Sequence, residues 1–289
     1  MTLRLEEALP EKRAARRAFD RARNFEDAAF VHDEARARLL ERLQFFRLAP
    51  RVVVDLGCGL GSGALALASR YPDAQVLGLD SSRPMLRAAA ARGAAVVGGD
   101  AESLPLAAHV ADVVLLSLVL PWCRPDVVFA QVARVLAEGG VVLFATLGPD
   151  TLKEVRTAFA AADPLIHVHA AFDLHDLGDL AAAAGLAEPV LDVDRFTVTY
   201  PDLAALMRDL RATGAVNTAG GRRRSLTGAA RWRRFEQALP RDAEGRLAVT
   251  VELILGQAFG RGPASRLARE RPAEIRVPIE RLTRRSEST

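Results

Sequence analysis

The stretch Val52-Val53-Val54-Asp55-Leu56-Gly57-Cys58-Gly59-Leu60-Gly61-Ser62-Gly63 decides how this chain folds. The three valines predict a short buried strand, glycine at every second position predicts a sharp loop, and the alanine- and leucine-rich run 64–69 predicts a helix. A strand, a glycine loop and a helix N-terminus together form a cradle for a nucleotide-like ligand. The pattern alone also fits the dinucleotide fingerprint, with Gly59, Gly61 and Ala64 as its small residues.

Two aspartates help to choose between these ligands. Asp55 ends the first strand, where its carboxylate can face a cation but would repel the pyrophosphate of a dinucleotide. Asp80 ends the next apolar run, 76–79, where a carboxylate can accept hydrogen bonds from both hydroxyls of a ribose. A ligand with a ribose, a positive charge and no phosphate fits both acids. S-adenosylmethionine is such a ligand.

Composition bounds the class of protein. A chain of 289 residues with 50% hydrophobic residues can bury a sizeable core. Cys58 and Cys123 are far apart, which predicts neither a disulfide framework nor a zinc site. No apolar run approaches the roughly 20 residues of a membrane span. The N-terminus is rich in arginine, but Glu6, Glu7 and Glu11 argue against a transit peptide. We therefore expect a cytoplasmic protein that does not bind membranes.

Strands and helices alternate from residue 51 onward, which predicts an α/β fold. We expect a Rossmann-like, seven-stranded, mostly parallel sheet with helices on both faces, N-terminal helices and a helical lid insertion. The expected strands are 51–55, 75–80, 95–98, 112–118, 141–147, 190–200 and 247–255. The expected organisation is an N-terminal helical cap at 1–48, a main domain at 49–260 with the lid at 201–245, and a disordered tail at 261–289.

Over residues 51–147 the chain resembles the class I S-adenosylmethionine-dependent methyltransferases. Three motifs in the expected order carry this likeness: 55–61 (DLGCGLG), 79–81 (LDS) with Met85, and 99–106 (GDAESLPL). The resemblance implies that the main domain, 49–260, is a class I methyltransferase domain. It also implies a set of cofactor-binding residues: Asp55, Gly57, Gly59, Gly61, Asp80, Ser81, Asp100, Ala101 and Ser117.

Further motifs resemble one family more specifically, the malonyl-acyl-carrier-protein O-methyltransferases of biotin synthesis. They are 18–22 (AFDRA), 146–154 (TLGPDTLKE), 173–178 (DLHDLG), 200–217 (YPDLAALMRDLRATGAVN) and the closing strand that ends at Leu255-Gly256. In that family the free carboxyl of a malonyl thioester is methyl-esterified, which masks its charge so that fatty-acid enzymes can elongate it. The resemblance implies an acidic acyl-carrier protein carrying malonyl as partner, and no nucleic acid.

The resemblance also suggests which residues act on the substrate. A carboxylate acceptor is ionised at pH 7, so it needs a cation rather than a general base, and arginine is the best such cation. Arg208 is the first candidate and Arg211, one turn further along the same helix, is the second. Trp122 is a candidate for shaping the methyl-transfer pocket, with packing as the alternative role. The arginines of 220–234 make the lid basic, which suggests a docking surface for the carrier.

Some alternatives stay open at this point. Phe25 aligns with a tyrosine that many family members carry, so the acceptor could be another small molecule. A related group of respiratory complex I assembly factors shares the glycine loop and the lid, and is associated with hydroxylating a protein arginine. A dehydrogenase is a weaker alternative. His167 and His169 would share a strand face, but no acid at ligand spacing completes a metal site. We expect a monomer without a metal.

Overall fold

A seven-stranded sheet forms the centre of the computed structural model, which describes residues 9–261. The strands run in the order β3-β2-β1-β4-β5-β7-β6, and β7 runs opposite to the other six. Their bounds are β1 Val52–Leu56, β2 Gln75–Asp80, β3 Val96–Gly98, β4 Ala111–Ser117, β5 Leu136–Leu147, β6 Ala187–Tyr200 and β7 Leu247–Phe259. This topology confirms the predicted fold class.

Ten helices accompany the sheet within the described residues. Their bounds are α1 Lys12–Arg21, α2 Phe25–Ala28, α3 Phe30–Arg42, α4 Ser62–Arg70, α5 Arg83–Ala91, α6 Pro125–Val135, α7 Lys153–Ala160, α8 Leu174–Ala183, α9 Leu203–Ala212 and α10 Ala229–Ala238. Helices α6 and α8 cover one face of the sheet, where Phe129 and Phe144 pack together. Helices α3 and α4 cover the other face through Leu39 and Leu67. Successive strand residues alternate between these two cores.

The sheet reverses its strand order beside β1, and this places the site. Strand β1 pairs in parallel with β2 on one side and with β4 on the other. Leu56 lies opposite Leu79 of β2 and Leu116 of β4, so the carboxyl ends of all three strands meet at one edge of the sheet. Ligands of open α/β sheets bind at such a switch point.

The start of β5 differs from the prediction. We expected this strand to begin at residue 141, after Gly139-Gly140. Instead, α6 ends at Val135 and β5 begins at Leu136. The glycines lie inside this strand, next to an irregularity in the pairing of β4 with β5. Gly139 has φ 69°, a left-handed conformation that glycine adopts without strain and that lets an irregular strand continue.

The N-terminal segment is held against the rest of the fold by polar contacts. The Glu11 amide donates to the Thr218 carbonyl at 2.7 Å. The Ser82 hydroxyl, at the start of α5, donates to Asp20 of α1 at 2.7 Å. Helix α1 therefore bridges α5 and the segment that follows α9.

The segment predicted as a lid holds α9 and α10 with irregular chain between them. These helices pack through Leu206 and Phe235 onto α7 and onto the adjoining ends of β6 and β7. The division of the chain at residue 48 and the lid at 201–245 remain predictions about domain organisation. The predicted tail lies outside the described residues from residue 262 onward. Within residues 9–261, no helix is both long and apolar enough to cross a bilayer.

Replacing Gly256 of β7 with alanine is expected to destabilise the fold. A Cβ there would lie 2.1 Å from Cζ of the buried Phe144 ring, and overpacking of this kind costs about 1–3 kcal/mol. The matched control is Gly178→Ala in α8, where the nearest side-chain atom would be 3.7 Å from the new Cβ. Because alanine has a higher helix propensity than glycine, this change is expected to raise the free energy of unfolding by about 0.5–1 kcal/mol. Thermal unfolding measures both; a Gly256→Ala protein as stable as the wild type would contradict this packing.

Candidate functional site

A cavity of about 500 Å³ opens at the edge of the sheet where β1, β2 and β4 end. It brings together seven of the residues that the sequence predicted for a cofactor: Gly57, Gly59, Asp80, Ser81, Asp100, Ala101 and Ser117. Trp122, predicted for the substrate side, lines the same cavity. Helix α1 contributes the opposite wall with Ala15 and Phe19. We call this space the main cavity.

The glycine loop takes the shape that its sequence predicts. Gly57, Gly59 and Gly61 have φ of 74°, 51° and 82°, all in the left-handed region that glycine tolerates best. Gly57 and Gly59 line the main cavity. Gly61 lines neither this cavity nor the second one described below. A Cβ at Gly61 would lie 2.9 Å from that of Ala89, so this glycine lets the loop approach α5 rather than meeting a ligand.

Asp80 holds the glycine loop and faces the main cavity at the same time. One carboxylate oxygen accepts from the Gly59 amide at 3.0 Å, and the other accepts from the Ser82 amide at 2.7 Å. Burial raises the pKa of Asp80, while these two backbone hydrogen bonds oppose the rise. Each carboxylate oxygen has a second lone pair, so Asp80 can accept two further hydrogen bonds from a diol in the cavity.

Asp55 lies under the glycine loop and lines a second cavity of about 270 Å³. Its side chain is buried, and a Cβ added to Gly63 would lie 2.6 Å from its Oδ2 atom. Burial raises the pKa of Asp55 to about 7, opposed by a hydrogen bond from the Ala64 amide. Its Oδ2 atom has no hydrogen-bond partner among the described residues. A buried carboxylate with an open lone pair suits a cationic group.

His32 borders both cavities, and the sequence analysis missed it. It projects from α3 beside Phe25, with the two ring centroids 4.9 Å apart. Its Nδ1 atom is shielded from solvent and has no partner among the described residues, and burial lowers the pKa of His32 to about 4. The imidazole is therefore neutral at pH 7. The sequence feature that could have indicated this site is His32 itself, a polar residue on the apolar side of the amphipathic helix α3.

Trp122 joins three parts of the chain at the wall of the main cavity. Its ring contacts Phe19 of α1 and His169 edge-on, with centroids 5.2 Å apart in each pair. The Nε2 atom of His169 accepts from the Thr218 amide at 2.7 Å, and burial lowers the pKa of His169 to about 4. Trp122 therefore has packing partners and also faces the cavity.

The expected strand with His167 and His169 on one face is wrong, because that segment forms no strand. His167 instead bonds Asp163 at 2.8 Å and stacks on Phe159, while His169 meets Trp122. Across residues 9–261, no three histidine, cysteine or acidic side chains gather as metal ligands would. That the protein works without a metal stays a prediction.

The acidic end of the main cavity is already paired with a lysine. Lys12 of α1 lies 2.7 Å from Asp100 and 2.8 Å from Glu102. These contacts close α1 over the loop that follows β3. The Ala101 backbone and the apolar side chains of Met85 and Leu86 line the cavity near this loop, which gives it the character of a site for a flat aromatic base.

The two arginines predicted to hold a carboxylate lie elsewhere. Arg208 and Arg211 are exposed on α9 and line neither cavity. The reason is the packing of α9, which turns Leu203 and Leu206 toward the core and leaves these arginines on the outer side. The arginines that do line the main cavity are Arg13, Arg16 and Arg83, none of which the sequence analysis singled out.

Comparisons with known proteins agree with this geometry. A family model described as a methyltransferase domain matches residues 54–144, which include the glycine loop and the strands β2 and β4 on either side of β1. The chain also shares the fold of the YcgJ protein from Bacillus subtilis, with a TM-score of 0.54 and 19% identity over 78% of this chain and 98% of that one.

Two curated relatives match nearly the whole chain. The malonyl-[acyl-carrier protein] O-methyltransferase of Laribacter hongkongensis is 44% identical over 90% of this chain and 92% of its own. The protein of that name from Gallionella capsiferriformans is 40% identical over 96% of this chain and 99% of its own. From identity at this level over this coverage, together with the methyltransferase domain, it follows that the chain belongs to the malonyl-[acyl-carrier protein] O-methyltransferases and is an enzyme with S-adenosylmethionine as its cofactor.

Proposed function

We propose that this enzyme methyl-esterifies the free carboxylate of a malonyl thioester carried by an acyl-carrier protein, a step toward biotin. The observation that carries the proposal is the 44% identity with a relative of that name over nine tenths of the chain. The same similarity does not favour the complex I assembly-factor alternative.

The arrangement of acids supports one orientation of the cofactor. The ribose would lie against Asp80, and the adenine would lie beside Asp100 and Ala101. The ammonium group of the amino-acid end would reach the second cavity, where Asp55 and His32 have unpartnered atoms. The boundary between the two cavities, lined by Gly57 and Ser117, is then where the methyl group meets the acceptor.

Methyl transfer to a carboxylate requires the enzyme to position the two reactants and does not require a proton transfer. S-adenosylmethionine supplies a methyl group already activated by its sulfonium. A carboxylate oxygen forms the new bond to the methyl carbon while the carbon–sulfur bond breaks, which leaves a methyl ester and S-adenosylhomocysteine. Because a malonyl carboxylate is ionised at pH 7, the enzyme must hold it in line and exclude water. Phe19, Phe25 and Trp122 supply an apolar wall for this purpose.

Arg16 is the cation that we assign to the carboxylate. Lys12, Ala15, Arg16 and Phe19 follow helical spacing and line the main cavity along one face of α1. Lys12 is already paired with two acids, whereas Arg16 has no ion pair among the described residues. The rival candidates are Arg13 and Arg83, which line the same cavity, and Arg208 and Arg211, which would require α9 to change position.

Growth without biotin tests the proposed function. The host is a bacterial strain that needs biotin because it lacks its own malonyl-[acyl-carrier protein] O-methyltransferase. Expression of this chain is expected to restore growth, and expression of its Asp80→Ala variant is expected to fail. If the folded protein accumulates without restoring growth, while the Laribacter relative does restore it, the acceptor is a different molecule.

The affinity for S-adenosylmethionine is expected to rise with pH up to about 7. Below pH 7 the free protein holds a proton on Asp55, whose pKa burial raises to about 7, and a bound cation favours the ionised form. Binding therefore releases a proton, and below pH 7 the affinity falls by up to about tenfold per pH unit. Calorimetry in two buffers of different ionisation enthalpy measures this release. In the Asp55→Asn variant, the affinity should depend less on pH, with only the contribution of Asp80 remaining. If the affinity of this variant changes with pH as steeply as that of the wild type, Asp55 is not part of the cofactor site.

A further inference from the structure

We propose that four exposed arginines on α1 and α5 form the surface on which the acyl-carrier protein docks. This α1–α5 patch consists of Arg13, Arg17, Arg83 and Arg87. The inference rests on the proposed function, because it takes the carrier to be the partner that delivers the acceptor. The inference goes beyond the proposed function by assigning the surface on which the carrier binds and the charged contacts that hold it.

The position of the patch suits a carrier that must deliver its cargo into the main cavity. Helices α1 and α5 pack against each other and are joined by the 2.7 Å hydrogen bond from Ser82 to Asp20. Arg13 and Arg83 line the main cavity. Arg17 and Arg87 lie one helical turn along the same helices from them and line neither cavity. An acyl group enters on a flexible arm, so its carrier must dock beside the opening of the cavity. The patch occupies such a position.

The patch is positively charged, and Glu11, just before α1, interacts electrostatically with Arg17. None of its four arginines has an ion pair within residues 9–261, and Arg17 bonds only the carbonyl of Arg13 on its own helix. Asp20, the one acid within the two helices, accepts the Ser82 hydroxyl. A strongly acidic partner is complementary to such a surface, and a surface of this kind raises the rate of encounter.

Four arginines of the basic lid, by contrast, are already paired with acids of the chain itself. Glu11 pairs with Arg222 at 2.9 Å and with Arg224 at 3.4 Å. Buried Asp163 lies 3.8 Å from Arg223 and 4.0 Å from Arg231. These contacts tie the lid to α1 and to the segment after α7. The sequence-based docking surface, the arginines of 220–234, is therefore the weaker candidate.

The test compares two substrates and two sites of charge reversal. The patch variant is Arg17→Glu with Arg87→Glu, two residues that line neither cavity. The lid control is Arg233→Glu, which is exposed on α10. For the patch variant we expect the KM for malonyl-acyl-carrier protein to rise about tenfold. We expect an unchanged KM for malonyl-pantetheine, which has no carrier to dock, and an unchanged melting temperature.

Direct binding separates this inference from the proposed function. Fluorescence anisotropy of labelled acyl-carrier protein reports docking even where no ester forms. Loss of binding in the patch variant but not in the lid control supports the patch, whatever the acceptor proves to be. Equal binding by wild type and patch variant, loss in the lid control alone, or equal affinity for tRNA or for an unrelated acidic protein of similar charge would overturn it. Absence of ester formation with carrier binding intact rejects only the proposed function.

Discussion

Replacing Asp80 with alanine is expected to weaken S-adenosylmethionine binding by about 100-fold or more. The carboxylate lines the main cavity. Its oxygens accept from the Gly59 and Ser82 amides and have further acceptor capacity, with which they can bind the ribose hydroxyls. Hydrogen bonds to a charged acceptor contribute about 1.5–3 kcal/mol each, and losing two of them corresponds to about two orders of magnitude in Kd or more. Isothermal titration calorimetry measures the change.

Asp80 also supports the glycine loop, so the experiment needs a control for folding. Asp80→Asn keeps the size of the side chain and one oxygen acceptor, and should retain part of the affinity. The melting temperature without cofactor shows how far the loss of the bonds to Gly59 and Ser82 disturbs the fold. A folded Asp80→Ala protein that binds within threefold of the wild type would remove Asp80 from the ribose site.

Replacing Arg16 with alanine is expected to lower kcat/KM for malonyl-pantetheine by about 100-fold, since removing one partner of an arginine–carboxylate pair that bound substrate shields from water costs about 2–5 kcal/mol. The affinity for S-adenosylmethionine should not change. Arg16→Lys keeps the charge but loses the forked donors, so it should recover only part of the rate. The small thioester removes carrier docking from the comparison.

Arg208→Ala and Arg211→Ala are the matched comparisons, because both arginines are exposed and lie outside the two cavities. Each is expected to retain most of the activity on malonyl-pantetheine. If either loses activity while Arg16→Ala does not, then α9 supplies the carboxylate-binding cation in the working enzyme. The assignment of Arg16 would then be wrong.

Local sequence was enough to predict the sheet and the cofactor end of the site. Strand β1 is apolar and β-branched throughout its first half, and the glycines after it leave few other backbone paths. Asp80 follows the next apolar run, and parallel pairing brings the two strand ends to one edge. A short-range pattern and one rule of topology therefore place most of the residues predicted to bind the cofactor in one cavity.

The substrate end depends on contacts between distant segments, which no local pattern reports. Helix α1 carries few apolar residues, so nothing in its sequence indicates that Arg16 lines a cavity. Its position is set by the pairing of Lys12 with Asp100 and by the contact of Phe19 with Trp122. His32 was missed for the same reason, because its surroundings come from three separate parts of the chain.

Intact-mass spectrometry of the acyl-carrier protein tests the central claim most directly. Purified enzyme is incubated with S-adenosylmethionine and malonyl-acyl-carrier protein, and with acetyl-acyl-carrier protein as the control that lacks a free carboxylate. We predict that the malonyl carrier gains the mass of one methylene, that cleavage of the thioester removes this gain together with the acyl group, and that the acetyl carrier is unchanged. An unmodified malonyl carrier, with cofactor binding intact, would contradict the account.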